Sequence, residues 1–161
     1  MSARDVVLIG VVLFAIAMGF FIIHFVATTT VDQMLTVGAI NESNGTVTAL
    51  GSINTVVNRL DYLVFALFVG LLLALMISGW FIGGNPIFMF IYFIVVVIGV
   101  VLSTVLANTW ESISGASIFG TTLSAFPISN NLMLNLPLYI GIAGFIGMIV
   151  MFAKPYFQQN E

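Results

Sequence analysis

Long apolar runs separated by short polar connections dominate the chain. Four runs, at residues 6–26, 62–82, 87–107 and 137–153, reach or approach the length of a membrane span, because a hydrocarbon core of about 30 Å calls for roughly 20 apolar residues in a helix. A spanning helix also satisfies every backbone amide without water. The pattern therefore predicts an all-α membrane protein, a single integral membrane domain at residues 1–161 with four transmembrane helices.

The first run follows Arg4 and Asp5 directly and continues for about one bilayer thickness. The apolar region of a secretory signal peptide is shorter, about 7–15 residues. We therefore expect the first run to be retained as span one.

The connection at residues 27–61 carries a second pattern, an apolar stripe at helical spacing that leads without a proline into span two. The stripe consists of Val47, Leu50, Ile53, Val56, Val57 and Leu60. A turn signal precedes it at Asn41-Glu42-Ser43-Asn44-Gly45. We expect a protruding helical hairpin between spans one and two. Its stripe needs a partner, which is either the opposite arm or another subunit.

The other connections predict the remaining helix ends. Gly83-Gly84-Asn85 followed by Pro86 predicts a very short turn between spans two and three. Asn135 and Pro137 are suited to the first turn of span four, and Lys154-Pro155 is suited to its end. The connection at residues 108–136 has two interpretations: it contains a short surface helix, with Trp110 near the interface, or it packs against the hairpin.

In the sequence, only the basic residues indicate which side of the membrane the chain termini face. Four crossings place both termini on one side, where Arg4 and Lys154 flank the first and last spans, while Arg59 lies in the first long connection. Because basic residues favour the cytoplasmic side, we expect the termini on the cytoplasmic or interior side, in a virion internal membrane or a host cell membrane.

Composition narrows the function classes. Of the 161 residues, 61% are hydrophobic and 6% are charged, cysteine is absent and the net charge is −3. The three basic residues cannot neutralise a run of phosphates, so we expect no direct nucleic-acid binding. The sequence holds none of the HExxH, GxSxG, P-loop or GxGxxG motifs. We therefore expect no enzymatic activity, with no catalytic, cofactor-binding or metal-binding residues.

A few ionisable residues are candidates for chemistry. His24, the only histidine, lies near the end of span one, and an ionisable group at membrane depth suggests a proton relay or a pH sensor. The alternative is a histidine that hydrogen-bonds a neighbouring helix. Arg59, Asp61 and Glu111 lie at the ends of spans on one side. They form an ion pair or a vestibule, or they are interfacial charges that end the spans.

Small residues at helical spacing mark two of the spans. The predicted helix-packing positions are Ala15, Gly19, Gly141, Gly144 and Gly147. Small side chains let helix backbones approach closely, which promotes association in lipid. These positions pack within the chain or between subunits. The alternative is that they line a pore.

Three stretches carry a resemblance to known proteins: Asn108-Thr109-Trp110-Glu111, Phe126-Pro127, and Asn135-Leu136-Pro137 before a glycine-rich last span. Over about the last third of its length, the chain resembles small multi-span integral membrane proteins of viruses and bacteriophages that enclose an internal lipid membrane. The resemblance implies a virion structural protein that couples this membrane to the capsid or to a vertex complex. It implies no functional residue.

The leading hypothesis from these patterns is a non-enzymatic structural membrane protein within a larger membrane-bound complex. Its expected partners are membrane lipids and other membrane or capsid protein subunits, including copies of itself. One alternative is a holin-like pore or small channel. The other is an accessory subunit of a respiratory, secretion or transport complex.

Overall fold

A computed structural model describes residues 4–82 and 86–158, and the regular structure in these residues is helical throughout. This confirms the all-α prediction for the described part of the chain. The eight α-helices are α1 (Arg4–Leu35), α2 (Gly38–Asn41), α3 (Asn44–Val57), α4 (Leu60–Ile82), α5 (Pro86–Ser114), α6 (Gly120–Ser124), α7 (Pro127–Leu134) and α8 (Leu136–Gln158). A 3-10 turn, Ser117–Phe119, precedes α6.

Four long helices, α1, α4, α5 and α8, form a bundle. Both α1 and α8 pack against α4 and α5. Each helix presents a row of buried side chains every three or four residues, which is the repeat of one helix face. The buried rows are Ile9, Leu13, Ala17 and Phe21 in α1, Val64 and Phe68 in α4, Tyr92, Val96, Ala107 and Trp110 in α5, and Leu136, Ile140, Ala143 and Met151 in α8.

The outer surface of the bundle is as apolar as its interior. Exposed side chains include Leu63, Phe93, Val101 and Phe145, each at least half exposed. Among the described residues, three helices are long and apolar enough to cross a membrane, and there are four such spans if α7 and α8 are counted as one span bent by 71°. In lipid these surfaces need no cover, because hydrocarbon surrounds them.

The segment after α1 turns back on itself. α2 and the turn at Glu42–Ser43 lead into α3, which packs along the end of α1. The helix predicted to run continuously from the stripe into span two is interrupted for two residues, because Asn58 and Arg59 separate α3 from α4. Of the predicted turn at residues 41–45, only Glu42 and Ser43 lie outside a helix.

The segment at residues 108–136 contains short helices, as the first of its two interpretations expects. α5 continues to Ser114, and the short helices α6 and α7 follow. They pack onto the ends of α1, α4 and α5. Trp110, expected near the interface, is fully buried.

A sharp corner joins α7 to α8. Pro137 lies in the first turn of α8 as predicted, but the Asn135 side chain bonds backwards, donating from Nδ2 to the Asn131 carbonyl oxygen at 2.9 Å. Asn135 therefore closes the end of α7. The helix α8 continues beyond the predicted end of the last span at Ala153, past Pro155 to Gln158. The predicted turn at Gly83-Gly84-Asn85 lies outside the described residues.

Candidate functional site

Most of the buried polar side chains lie at one end of the bundle, where α1 and α5 finish and where α4 and α8 begin. We call this the capped end. Polar and aromatic groups from four helices (α1, α4, α5 and α7), from the α3–α4 junction and from the residue before α7 meet there and hold α7 across the bundle. This capping cluster consists of Phe21, His24, Asn58, Asp61, Trp110, Phe126, Ser129 and Asn130.

Asp61 is the centre of this arrangement. It projects from the first turn of α4 and is 3% exposed. Its Oδ2 accepts a hydrogen bond from the Ile128 amide at 3.0 Å, and its Oδ1 accepts one from the Ser129 amide at 2.7 Å. Both amides belong to the first turn of α7. The first amides of a helix have no partner within it, and they favour a negative charge.

The local sequence explains why α7 takes its cap from another helix. Pro127 begins α7 and has no amide to satisfy, and the preceding residue is Phe126, which has no oxygen in its side chain to act as a cap. The Ile128 and Ser129 amides would be unpaired without Asp61. The carboxylate and the helix terminus therefore satisfy each other at a buried position, where unpaired polar groups are costly.

His24 forms a second link between elements. Its Nε2 donates to Oδ1 of Asn58 at 2.8 Å, which ties α1 to the junction between α3 and α4. The ring meets Phe126 edge to face, with centroids 5.2 Å apart. Nδ1 of His24 is buried without a hydrogen-bond partner. This geometry is that of a histidine bonded to a neighbouring helix.

Trp110 forms the third link. Its indole Nε1 donates to Oδ1 of Asn130 at 3.0 Å, so α5 also holds α7. Phe21 packs on Trp110 with centroids 5.2 Å apart, and it contacts Phe126 edge to face at 5.7 Å. Such tilted aromatic pairs stabilise beyond their buried area. The capping cluster thus has a hydrogen-bonded layer around an aromatic core.

The hydrogen bonds of the capping cluster show how its polar atoms are used. Asp61 accepts from two amides, and Asn58 and Asn130 accept from His24 and Trp110. The described residues include no group of three histidine, cysteine or acidic side chains placed to hold a metal ion. The arrangement fixes helices relative to one another.

The three charged residues singled out from the sequence differ in exposure. Arg59 and Glu111 are exposed, whereas Asp61 is buried against α7. Residues two apart on a helix do not share a face, which is why Arg59 and Asp61 point in different directions.

The predicted helix-packing positions differ in their surroundings. Gly144 lies directly against α5, where a Cβ would overlap both methyl groups of Val96. A Cβ on Gly141 would lie 3.7 Å from Val100, an ordinary contact. Gly147 is buried. The glycine face of α8 therefore packs against α5.

The two positions in α1 have a different environment. Ala15 is exposed, and a Cβ on Gly19 would meet nothing within 4 Å. Gly10, which the sequence analysis did not select, lies instead against Ile140, whose Cδ1 would be 3.5 Å from an added Cβ.

The predicted stripe of α3 is divided between two surfaces. Leu50 and Val57 are buried where α3 packs on α1, and Val47 and Leu60 are half-buried. Ile53 and Val56 are 47% and 64% exposed. One side of the stripe is covered by the opposite arm, and the other side is open.

Sequence reasoning missed the cap formed by Asp61 and the partners of His24 and Trp110. One signal was available: a helix start at Pro127 without a preceding Ser, Thr, Asp or Asn requires a cap from elsewhere. The comparisons with known proteins add no relative, since no family model, no curated protein and no solved structure matches the chain.

Proposed function

We propose that the protein is a non-enzymatic structural membrane protein that crosses the bilayer four times and assembles within a larger membrane-bound complex. The bent pair α7 and α8 provides the fourth crossing, and the contact surface is the open side of α3. The observation that carries this proposal is the exposure of Ile53 and Val56 on a helix that projects beyond the apolar run of span two.

Helix length supports the projection of α3. α3 has 14 residues and α4 has 23, so at 1.5 Å per residue they extend over about 55 Å. A hydrocarbon core of about 30 Å accommodates only the apolar α4. Since α3 also carries threonine, serine and asparagine, it belongs outside the core. Ile53 and Val56 would then meet water unless a partner covers them.

The capping cluster supports a structural role over a catalytic one. Its carboxylate and both of its amide oxygens are engaged in bonds that join helices of the same chain. Such bonds fix the base on which α3 stands. A rigid base suits a protein that presents a surface to a partner, because fewer groups are ordered on binding.

The proposed setting is the internal membrane of a virion, and the proposed partner is a capsid or vertex protein. The resemblance to small membrane proteins of viruses with an internal membrane supports this setting. Further copies of the chain in the same membrane would present the α3 surfaces together.

Charges placed on the open side of α3 test the contact surface. The variant Ala49→Glu/Ile53→Glu changes two exposed positions of this side, and Thr48→Glu/Thr55→Glu adds the same charge to exposed positions on a different side of α3. We expect the first variant to lose its partner when complexes are purified from infected-cell membranes in mild detergent. The second variant should keep it. Equal recovery with both variants would contradict the proposal.

Two further results of this purification bear on the function class. Identified capsid or vertex proteins support the viral setting, whereas identified redox or secretion subunits overturn it. Release of an entrapped dye from liposomes that contain only the purified protein would indicate a pore. We expect no release above that of empty liposomes.

A further inference from the structure

A groove opens on the outer side of the junction between α3 and α4. It has a volume of about 580 Å³ and is lined by Val56, Arg59, Leu60, Tyr62 and Leu63. Most of its lining residues, at positions 56, 59, 60 and 63, recur at the spacing of one helix face, which continues across the two-residue junction. The groove lies on the opposite side of α4 from Asp61, which is buried against α7.

The groove combines one positive charge with an apolar floor. Arg59 is exposed, and its guanidinium has no hydrogen-bond or ion-pair partner among the residues the structure describes. The nearest acid in sequence, Asp61, is engaged by the amides of α7 and faces away. No carboxylate lines the groove in the part of the chain that the structure describes. Tyr62, 65% exposed, adds a phenolic hydroxyl to the lining of the same groove.

The position along α4 defines the depth of the groove. The apolar run of span two begins at Tyr62, and the outward-facing Leu63 and Leu67 are 50% and 39% exposed. Arg59 precedes Tyr62 by three residues, which is about 4.5 Å along a helix axis. This places the guanidinium in the headgroup layer, while the apolar floor leads into the hydrocarbon. Tyrosine and arginine are both favoured at this level.

We propose that this groove binds one anionic phospholipid in the leaflet on the side of residues 27–61. The Arg59 guanidinium takes the phosphate through paired N–H donors, a geometry that arginine matches well. The Tyr62 hydroxyl donates to the headgroup, and an acyl chain lies along Leu60 and Leu63. Among the described residues, the groove lining holds one positive charge and no carboxylate, so a headgroup with a net negative charge complements it better than a zwitterionic one.

Lipid titration of the purified full-length protein in a neutral detergent tests this proposal. Native mass spectrometry would measure binding of phosphatidylglycerol, phosphatidylcholine and inorganic phosphate. We expect one phosphatidylglycerol to bind roughly tenfold more tightly than phosphatidylcholine, because both lipids offer a phosphate to Arg59 but only choline brings a second positive charge near it. Equal affinity for the two lipids would overturn the proposal, and so would displacement of phosphatidylglycerol by millimolar phosphate, because the site would then recognise the anion alone.

Single substitutions assign the binding to the groove. Arg59→Gln should remove the roughly tenfold preference, and Arg59→Lys should retain part of it, since lysine binds phosphate as a point charge. Lys154→Gln, which removes one positive charge elsewhere, should bind like the wild type. A preference that survives Arg59→Gln, or that is lost equally in Lys154→Gln, would contradict the assignment. Tyr62→Phe provides a second variant and should weaken binding without affecting folding.

The lipid groove shares Val56 with the open side of α3, so each test uses substitutions that belong to one surface only. Ala49 and Ile53, changed in the partner test, do not line the groove. Loss of partner recruitment with normal lipid binding, or the reverse, therefore distinguishes the two proposals.

Discussion

Asp61 illustrates what one side chain contributes at the capped end. Its carboxylate is almost completely buried, and two backbone amides of α7 compensate its charge. The ring N–H groups of His24 and Trp110 are also paired across elements, each with the side-chain amide oxygen of an asparagine. In each case, a polar group from a long helix is satisfied by a partner from a different element. Such bonds define one position for α7, which apolar contacts alone would define less sharply.

Replacement of Asp61 by asparagine tests whether the carboxylate holds α7 in place. The amide keeps one oxygen, but its NH₂ group would face an amide donor of α7. We expect Asp61→Asn to lower the stability of the detergent-solubilised protein by about 1–3 kcal/mol. Thermal unfolding followed by circular dichroism measures the change.

Asp32→Asn is the matched control, because it removes the same charge from an exposed position of α1. It should change stability by no more than about 0.5 kcal/mol. If Asp61→Asn unfolded at the same temperature as Asp32→Asn, the carboxylate would not hold α7.

At the scale of elements, the long helices could be predicted from the sequence and α7 could not. The runs at residues 6–26, 62–82 and 87–107 each coincide with a helix, because a membrane span is a local pattern of length and hydropathy. The cap of α7 lies 67 residues away in α4, so no local pattern contains it. The break at Asn58 and Arg59 was missed because neither residue excludes a helix.

The close approach of α8 to α5 is the second feature at this scale. Gly144 has no room for a Cβ beside Val96, whereas a Cβ on Gly70 of α4 would meet nothing within 4 Å. Alanine is the better helix former at both positions. Any difference between the two substitutions therefore reports on packing.

We expect Gly144→Ala to destabilise the protein by about 1–3 kcal/mol, which is typical of overpacking. Gly70→Ala should be neutral or slightly stabilising. Adding Val96→Ala to Gly144→Ala should recover part of the loss by making room. Thermal unfolding in detergent gives all three values, and equal stability of the two single variants would contradict close packing of α8 on α5.

For the molecule as a whole, the central claim is a bundle of four spans closed at one end by α7. In this proposed topology, the capped end would carry α3 and residues 108–136 on one side of the membrane, and both chain ends would lie on the other side. Three crossings would instead place α8 and the C-terminus on the same side as the capped end. The sequence indicated four spans from its apolar runs, and the corner at Asn135 lies just before the last of these runs.

The absence of cysteine makes this claim directly measurable. Single cysteines would replace Ser2, Ser43, Ser117 and Asn160, and each variant would be labelled in sealed vesicles of known orientation with a membrane-impermeant maleimide. We expect Ser43→Cys and Ser117→Cys to react from one side, and Ser2→Cys and Asn160→Cys only from the other side. Labelling of Asn160→Cys from the same side as Ser117→Cys would show that α8 does not cross the membrane and would contradict the four-span bundle.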